Sequence, residues 1–318
     1  MIPIVLAAGL GTRLQPYSRA VSKPAMPVAG VPVILRVIEQ CRDAGAADRL
    51  IVIANAPEHD VVPLVEAHAR QHGYDVAFGY QRERRGSAHA LRHVPGRDRL
   101  DQHILIAACD NFFESAELRS LVAQHQKRGA DGTMAVLRVP PENMRAHSNV
   151  IVEGERVVRV IEKPAPGDVA SPFVGPLLYA FSPKILTTLD DVPESPRGEF
   201  EFQDAIQAFI RDGARVEWFE LSRRTTLTTP DDLLALNEQF FGAMPGGTRT
   251  LGDATIIEPA IIDPDVEIGE GSTVGPNAHL MRGCRVGRAS TVRHALVFPG
   301  AVVPDRTTVE HTLIPPAL

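Results

Sequence analysis

The stretch Leu6 to Pro16, LAAGLGTRLQP, combines the residue types that hold phosphate. Gly9 and Gly11 let backbone N–H groups approach phosphate oxygens closely, and Arg13 adds a fixed positive fork. Two familiar phosphate loops are excluded: no Gly-Lys-Ser/Thr follows, and Leu14 stands where the dinucleotide fingerprint needs its third glycine. Alone, such a loop reads better as a tight turn with a solvated arginine. Its company changes that reading, because Ser22-Lys23-Pro24 follows ten residues after Arg13, with Met26-Pro27-Val28 and a helix behind it. Further along, Asp110 in ILIAACDNFF ends an apolar run, a place from which a carboxylate projects into a ligand crevice or caps a helix.

The elements that must position these groups follow from hydrophobic spacing. Ile2 to Ala7 reads as a buried strand, Val33 to Ala44 as a helix ended by Gly45, and Leu50 to Ala54 as the next strand. The alternation continues with a helix over Val61 to His72, a strand over Asp75 to Phe78, a helix from near Ser87 and a strand over Ile104 to Ala108. This rhythm predicts an α/β fold, a mainly parallel Rossmann-like sheet with ligands at the strands' carboxyl ends. Gly132 to Phe181 turns strand-rich, and Glu199 to Arg211 and Asp231 to Phe240 regain helical spacing. A break at Gly242 to Gly247 sets the expected boundary, giving domains 1–241 and 251–318 with a linker 242–250. Beyond it Ile256, Ile262, Ile268, Val274, Leu280, Val286, Val292 and Phe298 recur every six residues, a period of neither helix nor ordinary strand.

Bulk properties narrow the partners. The 318 residues carry 39 acidic and 33 basic side chains with no basic run, which argues against nucleic acid. Cys41, Cys109 and Cys284 are far apart and unpaired in pattern, as in a reducing cytoplasm. The apolar N-terminal run is too short to span a bilayer and lacks a basic leader, so no membrane role is expected.

Leu6 to Ile34 resembles the signature of sugar-1-phosphate nucleotidylyltransferases, an AAGxGTRLxP loop followed by KPxxPV and a helix. The resemblance implies a GT-A-like fold, a nucleoside triphosphate and a sugar 1-phosphate as substrates, and Mg2+ as cofactor. It casts Arg13 and Lys23 as the groups that offset charge on departing pyrophosphate, and Asp110 as the metal ligand and third catalytic residue. Leu6, Ala8, Gly9, Gly11, Thr12 and Arg13 would line the nucleotide. Gln81 and Gly86, in QRERRGSAHA, are similar to the segment that faces the base, where an amide can both donate to and accept from uracil or thymine. Glu162-Lys163-Pro164 is similar to the segment that touches the sugar and its phosphate, joined by Asn111 and Gly175; Arg197 to Asp204 resembles RGExxxTD, with Gln203 in the threonine's place. The six-residue period resembles the hexapeptide repeat of left-handed parallel β-helices, and the family likeness implies a homo-oligomer.

The sequence departs from the family pattern at specific points. Thr226 stands where a second metal-binding aspartate is usual, with Trp218-Phe-Glu220 as a shifted substitute. Ser148 replaces a common glycine, and Val174 to Tyr179 spaces its glycine and tyrosine unusually. Pyrimidine triphosphate and glucose 1-phosphate are the favoured pair, with GTP and mannose 1-phosphate, or a weakly catalytic regulatory relative, as alternatives. His279, His294 and His311, near the repeats, read as surface or stacking residues, with an acyltransferase site as the rival reading.

Overall fold

The apolar runs at the start of the chain leave no polar face, so they are stable only inside a sheet covered on both sides. The computed structural model describes residues 1–45, 49–140, 144, 147–165 and 169–317, and the chain divides into two compact units. One comprises Met1–Gly9 and Ile34–Thr225, the other Leu10–Val33 and Thr226–Leu318.

The first unit is built on ten strands: β1 (Ile2–Leu6), β2 (Arg49–Ala54), β3 (Asp75–Tyr80), β4 (Ile104–Ala108), β5 (Gly132–Arg138), β6 (Ser148–Glu153), β7 (Arg156–Glu162), β8 (Phe173–Gly175), β9 (Leu178–Phe181) and β10 (Val216–Leu221). Their spatial order is β8-β6-β7-β10-β5-β9-β4-β1-β2-β3. Helices α1 (Val33–Asp43), α2 (Val61–His72), α3 (Ser87–Arg92), α4 (Ser115–Arg128) and α5 (Phe202–Arg211) connect them. The stretch β3-β2-β1-β4 is parallel throughout, as the alternating pattern predicts. Beyond β4 the sheet is mixed: β9 runs antiparallel to β4 and β5, β5 and β10 are parallel, and β6, β7 and β8 form antiparallel pairs. The expectation of a mainly parallel sheet therefore holds for one half only. The reason is local, since β6 and β7 are joined by Gly154-Glu155, with Gly154 at φ 57, too short for a crossover helix. Ile4, Ile51, Ile106, Tyr179, Phe181 and Phe202 are fully buried in this unit's core, each worth roughly 2 kcal/mol of burial.

The second unit contains α6 (Pro230–Phe241) and three parallel ladders. The helix starts where Thr229 accepts from the Asp232 N–H at 3.2 Å and Asp232 accepts from the Thr229 N–H at 2.7 Å, with Pro230 in the first turn. One ladder stacks Ile256, Val274, Val292 and Val309, the next Ile262, Leu280, Val297 and Ile314, the third Ile268, Val286 and Val303. The six-residue interval thus holds through Val292 and then slips, because Val297, one residue early, takes the place expected for Phe298. The cause is the corner between the first two ladders. Its first turns spend Glu258-Pro259 and Pro276-Asn277, whereas the next two swing round on the single residues His294 and His311, at φ 48 and 47. Phe298, displaced from the ladder, is buried with its ring 4.8 Å from that of Tyr17.

The packing division differs from the sequence division at Gly242, since α6 and the segment Leu10–Val33 group with the ladders. Part of the expected linker is also a strand, Gly247–Leu251, paired antiparallel with Ala254–Glu258. Among the described residues no helix is long and apolar enough to cross a membrane.

Candidate active site

In the first unit, strand register sets several loops at one edge. Leu6 is level with Ile53 and Ala108, and Ala54 with Tyr80, so Ala8, Asp110 and Gln81 all follow the carboxyl ends of parallel strands. The carbonyl of Ala8 accepts from Arg84 Nε at 3.1 Å, tying the glycine loop to the segment after β3. Gly9 is exposed, with open space where a side chain would start. Gln81 is buried, not an exposed loop amide: its Nε2 donates to the Gly86 carbonyl at 2.9 Å and lies 3.1 Å from His89 Nδ1. Gly86 is required by its surroundings, because its φ is +95 and a Cβ would stand 2.4 Å from the Phe200 carbonyl oxygen. Burial, reinforced by His93, Arg92 and Arg85, holds the His89 imidazole below its usual pKa and therefore neutral.

Asp110 is not a helix cap, since α4 begins at Ser115 with Glu114 in the capping position. Arg224 is charge-coupled to it: burial pulls the guanidinium pKa down and the Asp110 carboxylate pushes it back up. Asn111 Nδ2 donates to the Pro176 carbonyl at 2.7 Å, which fixes the turn next to Gly175.

Three antiparallel strands bring two of the expected sugar-binding residues, Glu162 and Gly175, into one row. Ser148 is level with Gly175 on one side and Glu162 on the other. Gln203 Nε2 donates to Ser148 Oγ at 2.8 Å, and that hydroxyl donates to Glu162 Oε2. Burial raises the Glu162 carboxyl above the usual range; the Ser148 hydrogen bond opposes this, Glu201 adds to it, and Lys163 and Arg197 oppose it. A Cβ on Gly175 would lie 2.7 Å from the Tyr179 hydroxyl, so the glycine makes room for that ring. Lys163 is exposed and held at φ 45, a strained conformation of the sort found at ligand-contacting positions.

The remaining residues of the expected site belong to the second unit. Gly11, at φ 62, opens the one-turn helix Thr12–Leu14, which buries Leu14 and leaves Thr12 and Arg13 exposed. Lys23 begins another such turn, Lys23–Ala25, and a Cβ on Gly11 would come within 2.7 Å of Lys23 Cβ. Loop and lysine are thus packed together, as the spacing of the two motifs requires.

The profile of the nucleotidyl transferase family matches residues 2–237, which include every one of these residues. The chain belongs to that family. It is similar to the UTP–glucose-1-phosphate uridylyltransferase of Haloferax volcanii, 30% identical over 73% of this chain and 93% of that one. It is also similar to a glucose-1-phosphate thymidylyltransferase of Streptomyces griseus, 28% identical over 99% of this chain and 92% of the relative. Among solved structures, a putative glucose-1-phosphate thymidylyltransferase of Bacillus anthracis shares the fold, with a TM-score of 0.65, 21% identity, and coverage of 78% of this chain and 98% of that one.

This nucleotidyltransferase, of the sugar-1-phosphate type, has features that sequence reading left out. Arg84 and His89 lie inside a segment quoted for its glutamine and glycine, yet they hold the loop's geometry. In the shifted Trp-x-Glu substitute for a second metal ligand, Glu220 pairs with Arg138 at 3.2 Å and the Trp218 indole donates to the Gly154 carbonyl. Thr226 Oγ1 lies 3.4 Å from Thr228 Oγ1. Of the repeat histidines, His279 is not a surface residue: it is buried, with Nε2 3.0 Å from Asp263.

Proposed function

We propose that the protein joins dTTP or UTP to glucose 1-phosphate, forming the nucleotide sugar and pyrophosphate. The observation that carries this choice is that the uridylyltransferase and the thymidylyltransferase it resembles are both named for a pyrimidine nucleotide and glucose 1-phosphate. Gln81 supports it through its Oε1, which can accept from the N3–H of a pyrimidine while Nε2 is held by Gly86 and His89.

In this reading the backbone of Leu6, Ala8, Gly9, Gly11 and Thr12 lines the nucleotide, and Arg13 and Lys23 hold the β- and γ-phosphates. Asp110 suits Mg2+, since a single hard carboxylate at a strand end is enough for an ion that takes its other ligands from phosphates and water. Bound there, Mg2+ would neutralise charge on the phosphates. Arg224, beside Asp110, adds the positive charge that a chain lacking a second aspartate can tolerate at this place. Glu162, aimed by Ser148, accepts from sugar hydroxyls, while Asn111 and Gly175 shape the adjoining wall. Lys163 steers the sugar phosphate, whose oxygen is already ionised and attacks the α-phosphorus in line without a general base. The pyrophosphate leaves toward Arg13 and Lys23.

Residues 1–241 form the nucleotidyltransferase domain in this proposal. Residues 251–318 form a left-handed β-helix, whose first ladder steps, of 18 residues, match three hexads per coil, the later ones being one residue shorter. We place the enzyme in the cytoplasm as a homo-oligomer. The specificity is tested by pyrophosphate release with Mg2+, each of the common nucleoside triphosphates and a panel of sugar 1-phosphates. The highest kcat/KM is expected with UTP or dTTP and glucose 1-phosphate; GTP with mannose 1-phosphate in first place would overturn it.

A further inference from the structure

His294 and His311 stand at the same corner of successive coils, 17 residues apart, and share one backbone conformation at φ 48 and 47. Equal backbones send equal side chains in the same direction, so the two imidazoles stack with centroids 4.7 Å apart and planes 22° apart. Both present Nδ1 to one carboxylate on α6: Glu238 Oε1 is 3.0 Å from His311 Nδ1 and 4.0 Å from His294 Nδ1. The ligand atoms of all three residues lie within 4.8 Å of one another. Tetrahedral coordination, with metal–ligand bonds of about 2.0–2.2 Å, needs ligand atoms about 3.3 Å apart, so a small side-chain adjustment closes the site.

We propose that Glu238, His294 and His311 form a binding site for a first-row transition metal of the Zn2+ type, which fastens α6 to the corner of the coil. Packing gives the histidines little reason to be there, because the His311 side chain is 57% exposed and glycine or asparagine would take the left-handed corner with less strain. Asn277 Nδ2, 3.2 Å from His294 Nδ1, can only donate, so that nitrogen carries a lone pair in place of a proton, and a metal binding there displaces the amide. His311 Nδ1–H now donates to Glu238; coordination through Nδ1 needs the other tautomer, with the ring proton on Nε2 and none lost from the neutral imidazole. Glu310, 3.6 Å from His311 Nε2 and paired with Arg293, adds negative charge nearby. Two imidazoles and one carboxylate favour Zn2+, Ni2+ or Co2+ over Mg2+, so this site is chemically separate from the one proposed at Asp110. A second cluster, Glu39, His68 and His72, is less suited, since Arg42 already sits 3.3 Å from the Glu39 carboxylate.

The test is calorimetric titration of the metal-stripped, full-length protein with Zn2+, with Co2+ as the spectroscopic probe. The double variant H294N/H311N keeps residues that tolerate a left-handed corner, and E238Q changes a half-buried side chain of α6 with no change of volume. The wild type is expected to bind one more equivalent of Zn2+ than H294N/H311N and to show the visible Co2+ bands of a tetrahedral site that the double variant lacks. E238Q should weaken binding by more than about tenfold, and H72Q, in the other cluster, should leave it unchanged. Equal Zn2+ binding by wild type and double variant, or no binding by the wild type, would overturn the proposal.

Discussion

Ser148 and Gln203 read from the sequence as two unrelated departures from the family pattern, one replacing glycine and the other threonine. The structure joins them, because a hydroxyl placed beside a buried carboxyl needs a partner and the Gln203 amide supplies it. Fifty-five residues separate the pair, so no local spacing could have revealed the relay. Removing the hydroxyl with Ser148→Gly should raise the KM for the sugar phosphate about tenfold and leave the KM for the triphosphate unchanged, as steady-state kinetics would show. Glu162 adds a pH dependence. Its carboxyl titrates above the ordinary 4.5, so it begins to take up a proton at a higher pH than an exposed glutamate. The KM for the sugar phosphate should therefore rise as pH falls through that window, and a Glu162→Gln variant should show a flat profile with a KM high throughout. A wild-type KM unchanged by acid would remove Glu162 from the sugar site.

At the scale of the elements, the parallel half of the sheet was legible because each strand is a short apolar run separated from the next by a helical pattern. The antiparallel half was not, since periodicity sees strands and not the direction in which short turns send them. The slip after Val292 escaped for a similar reason: a corner shortened by one residue leaves the apolar spacing almost intact. Helix α4 carries a feature with no sequence signal, the buried His125, whose Nε2 is 2.6 Å from His103 Nδ1 and whose Nδ1 is 2.9 Å from Thr133. Burial lowers its pKa to about 4, with His103 adding to the effect and Asp131 opposing it. The unfolded chain therefore takes up a proton near pH 6.5 that the folded chain refuses, so this contribution to stability is intact above 6.5 and is lost as pH falls towards 4. Urea midpoints measured between pH 7 and 5 should drop more steeply for the wild type than for His125→Gln; parallel slopes would contradict the assignment. Gly86→Ala should be costlier, by about 3 kcal/mol, since it meets both a positive φ and the Phe200 carbonyl. Chemical denaturation measures that cost, and a loss below about 1 kcal/mol would mean that the loop can retreat from Phe200.

For the whole molecule, the reaction class was legible because the phosphate loop, Lys23, Asp110 and the later motifs recur in one order along the chain, and residues 2–237 match the family as a unit. The packing of the segment 10–33 with the repeats was not legible, because it depends on contacts between residues hundreds of positions apart, such as Tyr17 and Phe298. The proposed mechanism rests on a single carboxylate, Asp110, serving as the metal ligand in a chain with threonine at the second position. The most direct test is the rate of pyrophosphate release by Asp110→Asn at saturating Mg2+, triphosphate and sugar 1-phosphate. A fall in kcat of about 100-fold or more is expected with the fold intact; a rate within a few-fold of the wild type would contradict the metal-ligand role of Asp110.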